Sequence, residues 1–361
     1  MNSWPSMLLN FIRIFGIILI ILAYLSYLII INLRKATESQ TATLMRILTN
    51  YLQVISTILA FNANYPQSFT EIFSPIQTVG HSSESIVSLD CFIQDSEMNV
   101  FAPNATIFKI FLISLLPLIL IILYIILWLI MWIPLKKYFE DLKRNIVVSI
   151  IVILFLLHPT ITRAGLNIFQ CVKTGENEYR VKIDMSMEWY SNQHIKWCAI
   201  LGIPMIFIWG LGIPIFALTI MVKFRKSLDT WNVQKYLLML YQGLKLECFY
   251  WELVNTVRKI LLLWLPALLS TVPLGYKVLL ATVIMISILR IQNRLKSYRE
   301  SKPSTDKLAK QLNNHIKKIS NNQLECYEIT TGSFTIFWTM IFEDHEHNQA
   351  VIQFLTFVAG A

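Results

Sequence analysis

Residues 110–135 read IFLISLLPLILIILYIILWLIMWIPL, with no Asp, Glu, Lys, Arg or His among them. A helix needs about 20 apolar residues to cross about 30 Å of hydrocarbon, so this run spans with room for tilt. It stops at Lys136-Lys137, where the charge resumes. Working outward, residues 146–161 and 197–222 are two further strong spans, and residues 14–33 carry no charge before Arg34-Lys35. The length and basic flank of residues 14–33 set them apart from a cleavable signal. Residues 43–61 are weaker, because Arg46, Asn50 and Gln53 interrupt them. A span and an interfacial amphipathic helix both fit there. Residues 260–270 are apolar but only about half a span long, and Pro273 and Gly275 mark a tight turn after them. The helix before the turn therefore extends back through Tyr250-Trp251-Glu252, and the one after it runs from Tyr276 to about Arg290. Two short apolar runs, 332–342 and 351–361, flank Glu343-Asp344-His345-Glu346-His347, and the second stops before it spans, as in a truncated chain.

Composition agrees. Of 361 residues, 55% are hydrophobic and 15% charged, with a mean hydropathy of +0.55. Soluble chains carry about 25% charged residues, so a soluble enzyme, a disordered chain and a disulfide scaffold are excluded. The net charge of +9 belongs to the ends of the apolar runs, where membrane topology puts Lys and Arg, and does not imply nucleic acid. No CxxC, phosphate loop, nucleophile elbow or dinucleotide fingerprint occurs, and there are only 11 glycines. His345-Glu346-His347 lacks a nearby third metal ligand. The expectation is a non-enzyme without cofactor or metal: an all-α polytopic bundle of about seven to nine spans.

Sidedness follows from the basic clusters. Arg34-Lys35, Lys136 to Arg144, Lys223 to Lys226 and Arg290 to Arg299 share one side if residues 43–61 span. The positive-inside rule makes that side cytosolic and the N-terminus external. Asn104-Ala105-Thr106, a glycosylation sequon at Asn104, then lies outside, as do Cys91 and Cys171, where a disulfide can form. The chain divides into a first span and membrane-proximal helix (1–61), an extracytoplasmic loop (62–106) and a core bundle (107–293). A basic cytosolic linker (294–328), helical over 306–319, and a C-terminal span region (329–361) complete it.

The stretch 235–263, KYLLMLYQGLKLECFYWELVNTVRKILLL, holds the most informative polar groups. Glu252 and Lys259 share a helix face about two turns apart, and Arg258 and Lys259 lie about 18 Å inward of Thr271. Ionisable groups at that depth are functional candidates, here as a gating ion pair; the alternative is an interfacial anchor whose Arg258 and Lys259 snorkel to headgroups. Gly202-Ile203-Pro204 and Gly212-Ile213-Pro214 repeat within one span. Each proline kinks a helix, which suits a hinge or pore element, or plain packing through the glycines. His158 reads as a hydrogen-bonded interfacial residue at the end of its span.

Three groups of motifs resemble one known architecture: Leu157-His158-Pro159-Thr160 running to Cys171; Ile183-Asp184-Met185-Ser186 running to His194; and Leu240-Tyr241-Gln242-Gly243 followed by Tyr250-Trp251-Glu252-Leu253 and Arg258-Lys259. Tyr51-Leu52-Gln53-Val54 through Asn64-Tyr65-Pro66 to Asp90-Cys91 fits the same pattern. The order resembles the C-terminal multi-span module, often labelled TRP-like or polycystin-like, of large protist and algal surface proteins with cysteine-repeat or EGF-like ectodomains. The cysteine-repeat modular proteins of apicomplexans and ciliates are a similar group. The resemblance covers roughly residues 44–325 and implies a receptor, adhesin or channel-like role in the plasma or secretory-pathway membrane. One departure is Glu188, where a cysteine is expected beside Trp189, which puts an inherited disulfide pairing in doubt. The ectodomain is absent, as in a fragment or short paralogue. Two functions follow: a TRP-like channel or receptor-type signalling module, and a non-conducting membrane anchor. A transporter is less supported, since no inverted repeat is apparent. The partners expected are the lipid bilayer and a second copy or other surface membrane proteins.

Overall fold

The computed structural model describes residues 4–33, 40–59, 105–135, 141–176, 178–299 and 320–344. Their order is α1 (Trp4–Leu33), α2 (Gln40–Leu59), α3 (Ala105–Leu135), α4 (Leu142–Asn167), a small sheet, α5 (Asn192–Lys223), α6 (Trp231–Tyr241), α7 (Trp251–Leu268), α8 (Leu274–Leu295) and α9 (Asn321–Asp344). The sheet is an antiparallel meander of β1 (Cys171–Lys173), β2 (Tyr179–Val181) and β3 (Asp184–Glu188), with Cys171 opposite Val181 and Arg180 opposite Glu188.

Four helical stretches, Thr106–Met131, Leu142–Asn167, Asn192–Lys223 and Gly275–Leu295, are long and apolar enough to cross a membrane. The apolar stretch Leu19–Leu33 of α1 is shorter. The helices α2 and α7 carry Arg46 and Glu252, Arg258 and Lys259 respectively. Two helices are central: α4 packs on α1, α3, α5, α6 and α7, while α7 also packs on α2 and α8. One apolar core gathers α1, α3, α4, α5 and the sheet; the other gathers α2, α6, α7, α8 and α9.

The molecule has two distinct ends. At one, Arg144 at the start of α4 donates to the carbonyls of Leu33 (3.1 Å) and Lys235 (3.2 Å), joining the end of α1 to α6. Gly243 follows α6 at φ +75°, and a Cβ there would stand 2.7 Å from the Thr43 side chain; both facts require glycine. At the other end lie the sheet and the α7–α8 turn, where the Cys171 thiol meets Ser270 Oγ at 3.3 Å. Cys91 and Asn104 lie outside the described residues, as do residues 345–347 and 306–319.

The prolines of α5 have a visible local effect. Pro204 and Pro214 remove the N–H groups that would bond the carbonyls of Ile200 and Gly210, and Cys198–Gly202 and Met205–Gly212 adopt the wider π register. His158 Nε2 of α4 takes the freed Gly210 carbonyl at 2.9 Å, so that nitrogen carries the proton. The glycines are contact points. A Cβ on Gly202 would stand 2.7 Å from the Phe169 ring, and one on Gly165 would stand 2.8 Å from Met205 Cβ. Gly212 meets only the Phe207 carbonyl of its own helix, and Pro214 is buried. Packing therefore accounts for the first glycine of the repeat. Gly165→Val is expected to lower stability by about 1–3 kcal/mol through overpacking, read by thermal denaturation in detergent; an unchanged midpoint would refute the close α4–α5 contact.

Candidate functional site: a buried ionic cluster

The polar residues of α2 recur as Arg46, Asn50 and Gln53, one helical face. That face turns inward onto α7 rather than toward an interface: Arg46 is 6% and Asn50 0% exposed. Opposite them, Glu252 Oε2 lies 3.3 Å from Arg46 Nε, and Glu252 Oε1 accepts from Asn50 Nδ2 at 3.0 Å. Lys259 Nζ donates to Asn50 Oδ1 and to Gln53 Oε1, both at 2.8 Å. It also stands 5.0 Å from the centre of the Phe155 ring, a cation–π distance. Glu252 and Lys259 are therefore coupled, as their shared face predicts, but through the Asn50 amide instead of a direct ion pair.

Arg258 points elsewhere. Its Nη2 donates to Glu328 Oε1 of α9 at 2.6 Å, with both side chains buried. One turn away, Glu325 accepts three bonds: from Asn255 Nδ2 (2.8 Å), Trp251 Nε1 (3.3 Å) and the Tyr298 hydroxyl (3.0 Å). Tyr298 follows α8, where burial, and then the Glu325 carboxylate, push its pKa well above the usual value. The phenol therefore stays a donor. Asn322 completes the attachment by accepting from the Tyr298 backbone N–H (2.9 Å) and donating to its carbonyl (3.0 Å). The cluster holds three cations (Arg46, Arg258 and Lys259) and three carboxylates (Glu252, Glu325 and Glu328), all buried.

Charges at this depth are costly unless paired and hydrogen-bonded; the balance supplies the pairing, while Arg258 Nε and Nη1 and Glu328 Oε2 have no hydrogen-bond partner among the described residues. The cluster leaves no exposed nucleophile. Among the described residues, no group of three His, Cys, Asp or Glu side chains is placed to hold a metal ion. The snorkelling alternative is replaced, since Arg258 and Lys259 are 0% and 1% exposed. The sequence reading puts both Glu325 and Glu328 within the basic linker (294–328) and singles out neither. The available signal was their spacing of three, matching Asn255 and Arg258, immediately before an apolar run.

Fold and site together define a helical bundle with four membrane-length apolar helices and a charge-balanced polar core. No family model matches the chain, and no solved structure matches it. Among curated proteins, cysteine repeat modular protein A of Toxoplasma gondii is 26% identical over 170 residues, covering 43% of this chain and 5% of that protein. This likeness agrees with the cysteine-repeat side of the sequence resemblance; the TRP-like label draws no support from it.

Proposed function

We propose that the chain is a multi-pass membrane module of receptor or anchor type that does not conduct ions through its own bundle. The burial and pairing of the ionic cluster carry this reading: its six charged side chains are buried, and Arg46–Glu252 and Arg258–Glu328 pair across α2, α7 and α9. A pore wall needs polar groups turned to water, whereas this polar face is turned to α2 and α9.

The membrane setting is supported by α3, where Ile119, Ile122, Ile126 and Ile130 form a stripe about half exposed, as lipid-facing residues do. We place eight crossings, with α1–α5 and α7–α9 each passing once and the N-terminus outside. The joining of Leu33, Arg144 and Lys235 at one end fits this path, because α1 must end, α4 begin and α6 lie on the same side. By the positive-inside rule that side is cytosolic. The likeness to a cysteine repeat modular protein supports kinship with those proteins, in a plasma or secretory-pathway membrane.

Reconstitution in planar bilayers tests the reading. Folded protein is expected to give no unitary currents under applied voltage. Ion-selective current that changes with Glu252→Gln or Lys259→Gln would overturn the proposal and put those residues on a TRP-like gate.

A further inference from the structure

Two membrane-length helices end in cations mixed with exposed apolar side chains. At the end of α5, exposed Val222 and Phe224 alternate with exposed Lys223, Arg225 and Lys226. At the end of α8, exposed Ile291 and Leu295 alternate with exposed Arg290, Arg294 and Lys296. The segment 243–249 joins the two. Its Lys245 N–H donates to the Ser297 carbonyl at 2.8 Å, and its Gly243 carbonyl accepts from the Arg299 N–H at 2.9 Å. The Cys248 N–H turns back to the Lys245 carbonyl at 2.9 Å, and the next residue, Phe249, carries the Arg225 guanidinium 6.0 Å from its ring centre, a cation–π distance. Arg225, Lys245 and Lys296 thus come from three segments that are fastened to one another.

Exposed apolar side chains at a span end mark where lipid tails stop, so cations in the same turns stand at headgroup depth. The stretches 223–249 and 290–299 hold two carboxylates, Asp229 and Glu247. Among the described residues neither forms an ion pair with these cations, whereas Arg46, Lys235 and Arg258 all have carboxylate partners. The positive charge here is left for a group outside the chain. A phosphate monoester carries close to two negative charges and three strong acceptor oxygens, so it can engage cations from several segments at once, and the arginine fork matches its oxygens. A phosphodiester headgroup offers a single charge for the same surface.

We propose that the Arg225–Lys245–Lys296 surface docks an anionic phospholipid whose headgroup ends in a phosphate monoester. The lipid would tie the ends of α5 and α8 to the segment between them. The inference rests on the membrane setting of the bundle and not on conduction: currents in a planar bilayer leave it standing, and failure to bind lipid leaves the non-conducting reading standing.

Native mass spectrometry of the full chain in detergent tests it, with phosphatidic acid, phosphatidylserine and phosphatidylcholine of the same acyl chains added in turn. One phosphatidic acid per chain is expected to be retained, about tenfold more tightly than either other lipid. Arg225→Gln/Lys296→Gln is expected to weaken it about tenfold, while Lys173→Gln/Lys196→Gln, which removes the same charge from exposed positions at the sheet end, leaves it within about twofold. Phosphatidylserine held as firmly as phosphatidic acid would overturn the phosphate-monoester assignment. Equal weakening in the two double variants would show attraction by net charge and overturn the site. Inorganic phosphate retained as firmly as phosphatidic acid would overturn the lipid as its source. Thermal midpoints of both variants report folding; should the first variant unfold, the ranking of the three lipids on the unmodified chain decides, and equal retention of all three overturns the proposal.

Discussion

Arg258→Met is expected to destabilise the bundle by about 3–5 kcal/mol, because it strands Glu328 as an unpaired buried charge. Glu328 is 4% exposed and Arg258 Nη2 is its 2.6 Å partner, so the carboxylate has nowhere to rehydrate without moving α9. The double variant Arg258→Met/Glu328→Met is expected to recover most of the loss, since replacing both members of a buried pair by apolar side chains is often neutral or better. Chemical denaturation in detergent, run as a double-mutant cycle, separates the two. A double-variant loss equal to the sum of the two single-variant losses would mean that the pair is not coupled.

Glu325→Leu is expected to detach α9. The substitution orphans three donors at once, Trp251 Nε1, Asn255 Nδ2 and the Tyr298 hydroxyl, and each buried unsatisfied group costs about 1–3 kcal/mol. Glu325→Gln keeps an acceptor oxygen and is expected to fall between the unmodified chain and the leucine variant. Hydrogen exchange reads the effect locally: amides of α9 lose protection while those of α4 keep it. Uniform loss across both helices would argue instead for global unfolding and against α9 as a separately anchored element.

How much of this was legible in the sequence depends on which signal each element used. The helices α3, α4, α5 and α8 announce themselves because lipid-length apolar runs need no tertiary context, and the turn at Pro273 and Gly275 separates α7 from α8 as read. The role of α2 was left open between two placements, because Arg46, Asn50 and Gln53 look alike whether they face water or a partner helix. Only the position of Glu252 and Lys259 opposite them decides that. Those two residues and Arg258 were identified as candidates from depth alone, but their partners were not, since pairing between residues 200 and more apart leaves no local periodicity. The π register of α5 was likewise hidden: Gly-Ile-Pro repeats signal a disturbed helix, whereas the donor that takes the Gly210 carbonyl, His158, comes from α4.

The 70 residues between Arg258 and Glu328 also set an order of events at the ribosome. Chains grow at about 5–20 residues per second, so α7 waits roughly 4–14 s for the carboxylates of α9 to be made. During that interval Arg258, Asn255 and Trp251 belong to a nascent chain whose polar core is half assembled and carries excess positive charge. A chain that stalls earlier keeps Arg258 without the Glu328 carboxylate that pairs with it in the finished bundle.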